Sequence, residues 1–204
     1  MTLGQFFFRY RSYTPLPLLI IMFLTVPYQV NLFGFRAGPT ILSMIIGFIF
    51  VFLGELLRYW GVSYAGSETR TRNVGGSKLV TQGPFAYTRN PLYLGNILIY
   101  FGFGIMMNSL FPYLAVIGTA FFIFQYHYII KEEEEKLRDL FKDKYDEYYN
   151  SVNRLLPSLS PYDPGKQSNI GIDLKAGFKS EKRTLQANLT VVICIYIVYI
   201  LINQ

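Results

Sequence analysis

The sequence predicts an all-α polytopic membrane protein, with about five transmembrane helices and a pocket at one membrane face. Three observations predict it. The 204 residues are 51% hydrophobic and only 16% charged, where a soluble domain carries about 25% charged residues. Apolar runs of membrane length alternate with polar segments. One run, Leu92 to Ile130, is almost uninterrupted and is flanked by two residue-dense polar segments, GPFAYTRNPLYLG at 83–95 and EEEEKLRDLFKDKYDEYYNSVNRLLP at 132–157. Mean hydropathy is +0.27. At this length, 1–204 reads as one domain, with a motif-bearing core over 75–160 and an additional C-terminal helix over 185–202.

The first apolar run is Pro15 to Phe33, close to the ~20 residues that span a bilayer. Arg9 and Arg11 precede it, but no small-residue cleavage site follows before Asn31 and Arg36. It therefore reads as a retained helix and not a signal peptide. The second run, Gly38 to Trp60, ends in Tyr59 and Trp60 as interfacial anchors. Residues 61–91 are polar. The 39 residues from Leu92 to Ile130 would make a helix of ~58 Å, about twice the ~30 Å of a hydrocarbon core. The chain must reverse near Asn108 to Pro112, giving a tight helical hairpin over 92–130. Gly95, Gly102, Gly104 and Gly118 would permit close helix contact along it. Glu132 to Asn150 is helical in character, with Phe141, Tyr145, Tyr148 and Tyr149 at helical spacing. The tyrosines are expected to pack this element against the membrane or the hairpin. Prolines and glycines, among them Pro161 and Gly177, predict a mostly irregular segment over 158–184. Leu185 to Ile202 is the fifth apolar run.

The net charge is +6, yet the basic residues sit in loops beside apolar runs. That distribution suits a cytoplasmic membrane face and argues against nucleic acid. With the N-terminus inside, only Arg36 of the 19 Lys and Arg residues falls outside. This orientation puts both polar segments in the cytoplasm and the C-terminus on the opposite side. A single cysteine, Cys194, and a single histidine, His127, exclude an intramolecular disulfide and a cysteine-based zinc site. No metal site is expected.

Two polar segments meeting on one face could build a site. Pro91 suits the first position of a helix, so the amides that follow would favour a carboxylate or phosphate at the membrane surface. Arg89 adds a bidentate donor; alternatively it is a surface anchor. Glu132 to Glu135 are unusual after a membrane helix, where flanks are normally basic. As the first turn of a new helix they would be favoured by its dipole; one or two would turn inward to bind an amine, a hydroxyl or a cation. Arg154 is either a recognition point for an anion or a helix-end salt bridge. His127 reads as packed and hydrogen-bonded. Glu55 and Arg58, one turn apart, either neutralise each other or face a cavity. Gly102-Phe103-Gly104 lacks the setting of a dinucleotide loop.

The pattern GPF…RNPLYLG, an apolar hairpin, then EExxL, FxxxYxxY and RxxP resembles the isoprenylcysteine carboxyl methyltransferase and phospholipid methyltransferase superfamily over about residues 75–160. The resemblance implies an integral-membrane enzyme that uses S-adenosylmethionine. It implies a cofactor pocket made by Lys78, Leu79, Val80, Gln82, Arg89, Asn90, Pro91, Tyr93, Glu133 and Glu134, with Glu134 and Arg154 at the catalytic centre. Its partners would be membrane lipids and a lipid-like or lipidated methyl acceptor, through a carboxylate oxygen or an amine. The family motif has histidine where this chain has Asn90, a residue that hydrogen-bonds but cannot become cationic. A membrane reductase using a nicotinamide cofactor and a non-enzymatic small membrane protein are the competing readings.

Overall fold

The computed structural model describes residues 1–25, 39–66, 78–163 and 171–203, and these residues form helices with no strand among them. Seven α-helices follow in order: α1 Leu3–Tyr10, α2 Pro15–Thr25, α3 Ile41–Ala65, α4 Pro91–Met107, α5 Tyr113–Phe141, α6 Asp143–Ser151 and α7 Leu174–Asn203. α3, α5 and α7 are long and apolar enough to cross a membrane, while α4 and α2 are apolar and shorter. The molecule is thus an integral membrane protein. The stretch from 26 to 33, the second half of the first expected span, lies outside the described residues, as does the start of the core at 75–77.

The expected reversal stands where helix length required it. α4 ends at Asn108 in the left-handed conformation, Leu110 also has positive φ, and the Phe111–Pro112 peptide is cis. The glycines serve a different contact from the one expected within the hairpin. Gly95 and Gly102 face α3, where a Cβ on either would come within 2.8 and 2.6 Å of the carbonyls of Gly54 and Gly47. Two glycine crossings, 54 with 95 and 47 with 102, thereby bring the α3 and α4 backbones together. Only Gly104 packs inside the hairpin, against Ala115, and Gly118 meets nothing nearer than Leu18 at 3.9 Å.

Two expectations are corrected. Glu132 to Glu135 do not begin a helix, because α5 runs unbroken from Tyr113 through them to Phe141. Lys, Glu, Leu and Arg at every position of 131–140 except Asp139 favour its continuation. The break comes at Lys142, with φ 49°, and α6 follows. Residues 174–184 are not irregular but form the first turns of α7. Asp173 caps it, accepting from the Ala176 amide at 2.9 Å. Gly177 is a packing residue: a Cβ there would lie 2.4 Å from Ser63 Oγ.

Apolar burial joins these elements. Met22, Val51, Ile99, Phe103, Met107 and Ile195 tie α2, α3, α4 and α7 into one cluster. Phe7, Phe122, Tyr126 and Ile129 tie α1 to α5, beside Tyr93 of α4. Tyr145, Tyr148 and Val152 form a third cluster with Leu79, Leu137 and Tyr162. Of the two expected surfaces for the α6 tyrosines, the hairpin is the one met: they pack on the extension of α5, its second helix, and on the segment after residue 78.

Candidate active site

A cavity of about 630 Å³ lies among α3, α4, α5, α6 and α7, within the few hundred to a thousand Å³ usual for ligand sites. Lys78, Leu79, Val80, Arg89, Asn90, Pro91, Tyr93, Glu133 and Glu134 all line it. Gln82 does not; it precedes the short 3₁₀ turn Gly83–Ala86, and its carbonyl accepts from the Phe85 amide. Arg154 does not line the cavity either, but holds a residue that does.

Because the acids lie inside α5 and not at a helix start, no helix N-terminus stabilises them. Side chains compensate instead. Glu132 accepts from the Thr2 hydroxyl. Glu133 Oε1 accepts from the Tyr93 hydroxyl at 2.7 Å, with Arg11 Nη1 3.8 Å away. Glu134 bridges two guanidinium groups: Oε1 lies 3.0 Å from Arg89 Nε and Nη2, and Oε2 lies 2.5 Å from Arg154 Nη2. Two of the four acids, Glu133 and Glu134, thus turn into the cavity, as expected for one or two of them, while Glu132 holds α1 at the surface.

Arg89 is bound within the protein. Its Nη1 donates to the carbonyls of Tyr149, at 2.7 Å, and Val152, and its guanidinium stacks 4.1 Å over the Tyr149 ring. It clamps the end of α6 against the start of α4. Asn90 Nδ2 donates to the Arg154 carbonyl at 3.1 Å, and Thr88 Oγ1 donates to the same oxygen at 3.2 Å. Asn90 therefore positions the 152–155 loop. The amides of Leu92 and Tyr93 precede the first helical bond of α4, which Leu94 makes to Asn90, so they open the helix N-terminus toward the cavity wall.

Burial pushes the phenols of Tyr145 and Tyr148 up. Both are neutral hydroxyls at physiological pH, and Tyr148 donates to the Phe85 carbonyl at 2.7 Å. His127 is exposed rather than packed, with Nδ1 3.3 Å from Arg154 Nη1.

Of the two readings of Arg58 the cavity-facing one stands, but sequence reasoning missed the rest of the opposite wall. Glu55 and Arg58 do not pair with each other. Arg58 Nη2 binds both Glu181 oxygens at 2.9 and 2.8 Å, its Nη1 binds Asn96 Oδ1 at 2.7 Å, and Asn188 donates to Glu55. Arg58, Asn96, Glu181 and Asn188 line the cavity, as does Arg11. The available signal was polar residues at single positions in apolar helices, Asn96 and Asn188, which mark function in membrane segments. Glu181 was hidden by reading its segment as irregular. Among the described residues, no group of three or more His, Cys, Asp or Glu could hold a metal ion.

An arginine–carboxylate group and the N-terminus of α4 thus border one cavity of a helical membrane protein. The model of the phospholipid methyltransferase family matches residues 42–144, just over half of the chain, from α3 into the start of α6. The chain belongs to the phospholipid methyltransferase family. It is 33% identical over 130 residues to the cobalt-zinc-cadmium resistance protein CzcN of Cupriavidus metallidurans, covering 63% of this chain and 55% of that protein. It is 30% identical over 115 residues to the nickel-cobalt-cadmium resistance protein NccN of Alcaligenes xylosoxydans xylosoxydans, covering 56% and 50%. The chain spans about half the length of these curated relatives. No solved structure matches it.

Proposed function

We propose that this protein transfers a methyl group from S-adenosylmethionine to a lipid-like or lipidated acceptor at the cytoplasmic membrane face. One observation carries the reading: nine of the ten residues assigned to a cofactor pocket by motif alone line a single cavity, although they come from three separate stretches of chain. The residues suit the donor's chemistry. A zwitterionic amino-acid moiety calls for a carboxylate and free amides, and Glu133 and the start of α4 offer them at one place. A heteroaromatic base calls for apolar and aromatic walls, which Leu79, Leu137, Tyr145 and Tyr148 supply.

Bound there, the donor would supply a methyl group already activated by its positive sulfur. The remaining work falls to the protein, which must align donor and acceptor and exclude water. Tyr93 and Arg11 fix the Glu133 carboxylate. The Arg89–Glu134–Arg154 relay holds α4, α5 and the 152–155 loop in register around it, so Glu134 and Arg154 act through position. Leu79, Val80 and Leu137 keep the cavity dry. The charge distribution favours an inside N-terminus, an inside site and a C-terminus on the opposite side, with five spans.

Calorimetric titration of S-adenosylhomocysteine into detergent-solubilised protein tests the donor. Saturable binding is expected; no heat at millimolar ligand overturns the reading. Tyr93→Phe removes the donor to Glu133 and should weaken that binding about tenfold, as for a hydrogen bond to a charged group at 1.5–3 kcal/mol. Asn90→His keeps a donor for the Arg154 carbonyl, so affinity should be preserved or improved. A large loss with Asn90→His would show that the pocket is built differently.

A further inference from the structure

The cavity has two chemically distinct walls, and the family-matched segment contains only part of the second. α7 lies wholly outside residues 42–144, yet it lines the cavity with Glu181, Thr184 and Asn188. These positions are spaced three and four apart, one face of a helix. That face is polar in a helix otherwise apolar enough to cross a membrane. Polar residues in such a helix turn to the protein interior or to a cavity, and these do both. Glu181 is 1% exposed and holds Arg58 through both oxygens, and Asn188 holds Glu55. α7 is thereby latched to α3 by side chains at two levels, seven residues apart on α7 and three apart on α3.

We propose that α7 forms the acceptor wall of the cavity, so that Thr184 and the Glu181–Arg58–Asn96 group receive the polar head of the amphiphilic acceptor and select it. The proposal rests on the methyltransferase reading above. The motif-bearing wall, around Val80 and Tyr93, is left to the donor. The acceptor wall stands on α3, α4 and α7, whose apolar remainders share one buried cluster through Val51, Ile99 and Ile195. An acceptor held there has its head at hydrogen-bonding groups and its tail beside membrane-length apolar helices. Arg58 is already neutralised by Glu181, so this wall recognises a head by hydrogen bonding and shape more than by a lone charge.

The test uses the full chain with Cys194→Ser, which removes the single native thiol. Val80→Cys and Thr184→Cys are each treated with a small methanethiosulfonate reagent, with and without S-adenosylhomocysteine. The product should slow modification at position 80 at least tenfold and leave position 184 within twofold. Equal protection at 184 overturns the division of the cavity. Protection at neither position removes the donor reading itself, and the proposal with it. Thr184→Leu then reports on the acceptor. With tritiated S-adenosylmethionine and total lipid extract at subsaturating concentration, labelling of lipid should fall at least tenfold, while S-adenosylhomocysteine affinity stays within twofold and shows that the variant folds. Unchanged labelling, or a parallel loss of product affinity, overturns the assignment. A wild-type protein that labels no lipid overturns the reading of a lipid acceptor, and the proposal falls with it.

Discussion

Glu134→Gln is expected to destabilise the protein more than any other single side-chain change at the site. The substitution keeps the shape of the side chain and removes the charge between Arg89 and Arg154. The Arg89 and Glu134 side chains are each 8% exposed, and Arg154 is 29% exposed. Removing one partner from a buried ion pair costs about 3–5 kcal/mol, because the remaining charge is left buried without compensation. Partial exposure of Arg154 moves the expected loss toward the lower end. Thermal unfolding in detergent measures it, and an unshifted midpoint would contradict the relay. Arg89→Met combined with Glu134→Leu should cost less than the sum of the two single changes, since contacting residues are not additive.

The second large effect is expected far from the chemistry. In Gly54→Val, the new Cβ would stand 2.6 Å from the Gly95 carbonyl and 2.8 Å from Ile99 Cγ1. The 47–102 crossing, two turns away, prevents α3 and α4 from pivoting apart at one end only. Overpacking of this kind costs about 1–3 kcal/mol and occasionally more, and here it also spreads Arg58 from Asn96. The yield of monodisperse protein and the affinity for S-adenosylhomocysteine should both fall. Gly118→Ala is the contrast, since its nearest neighbour is 3.9 Å away; helix propensity alone should make it neutral or stabilising by up to about 1 kcal/mol. Equal stability of the two variants would remove the close α3–α4 contact from the account.

What was legible in the sequence follows from which interactions are local. Helix class and the reversal at Asn108 to Pro112 come from composition, length and turn chemistry, all readable along the chain. Arg89, Tyr93, Glu133 and Glu134 were legible as a group because motif order carried them together. Their partners were not. Arg11 reads as a basic flank until α1 packs on α5, and Glu181 reads as a loop residue until Asp173 is seen to cap α7. The dipole account of Glu132 to Glu135 failed for a similar reason: nothing in the local pattern ended α5 before them. Gly177 resembles a breaker in sequence and becomes a contact surface only when Ser63 lies against it.

The glycine crossings set part of the cavity wall by backbone contact. Where two backbones touch, no side chain is available to yield, so α3 and α4 behave as a single stiff plate carrying Arg58 and Asn96 at fixed separation. α7 meets that plate through the Glu181–Arg58 and Asn188–Glu55 contacts, through the Asp173 amide on the Ser63 carbonyl at 3.0 Å, and through Ile195 in the shared core. Arg58 and Asn96 are therefore positioned by backbone contact between helices, and not by side chains that could repack around a ligand.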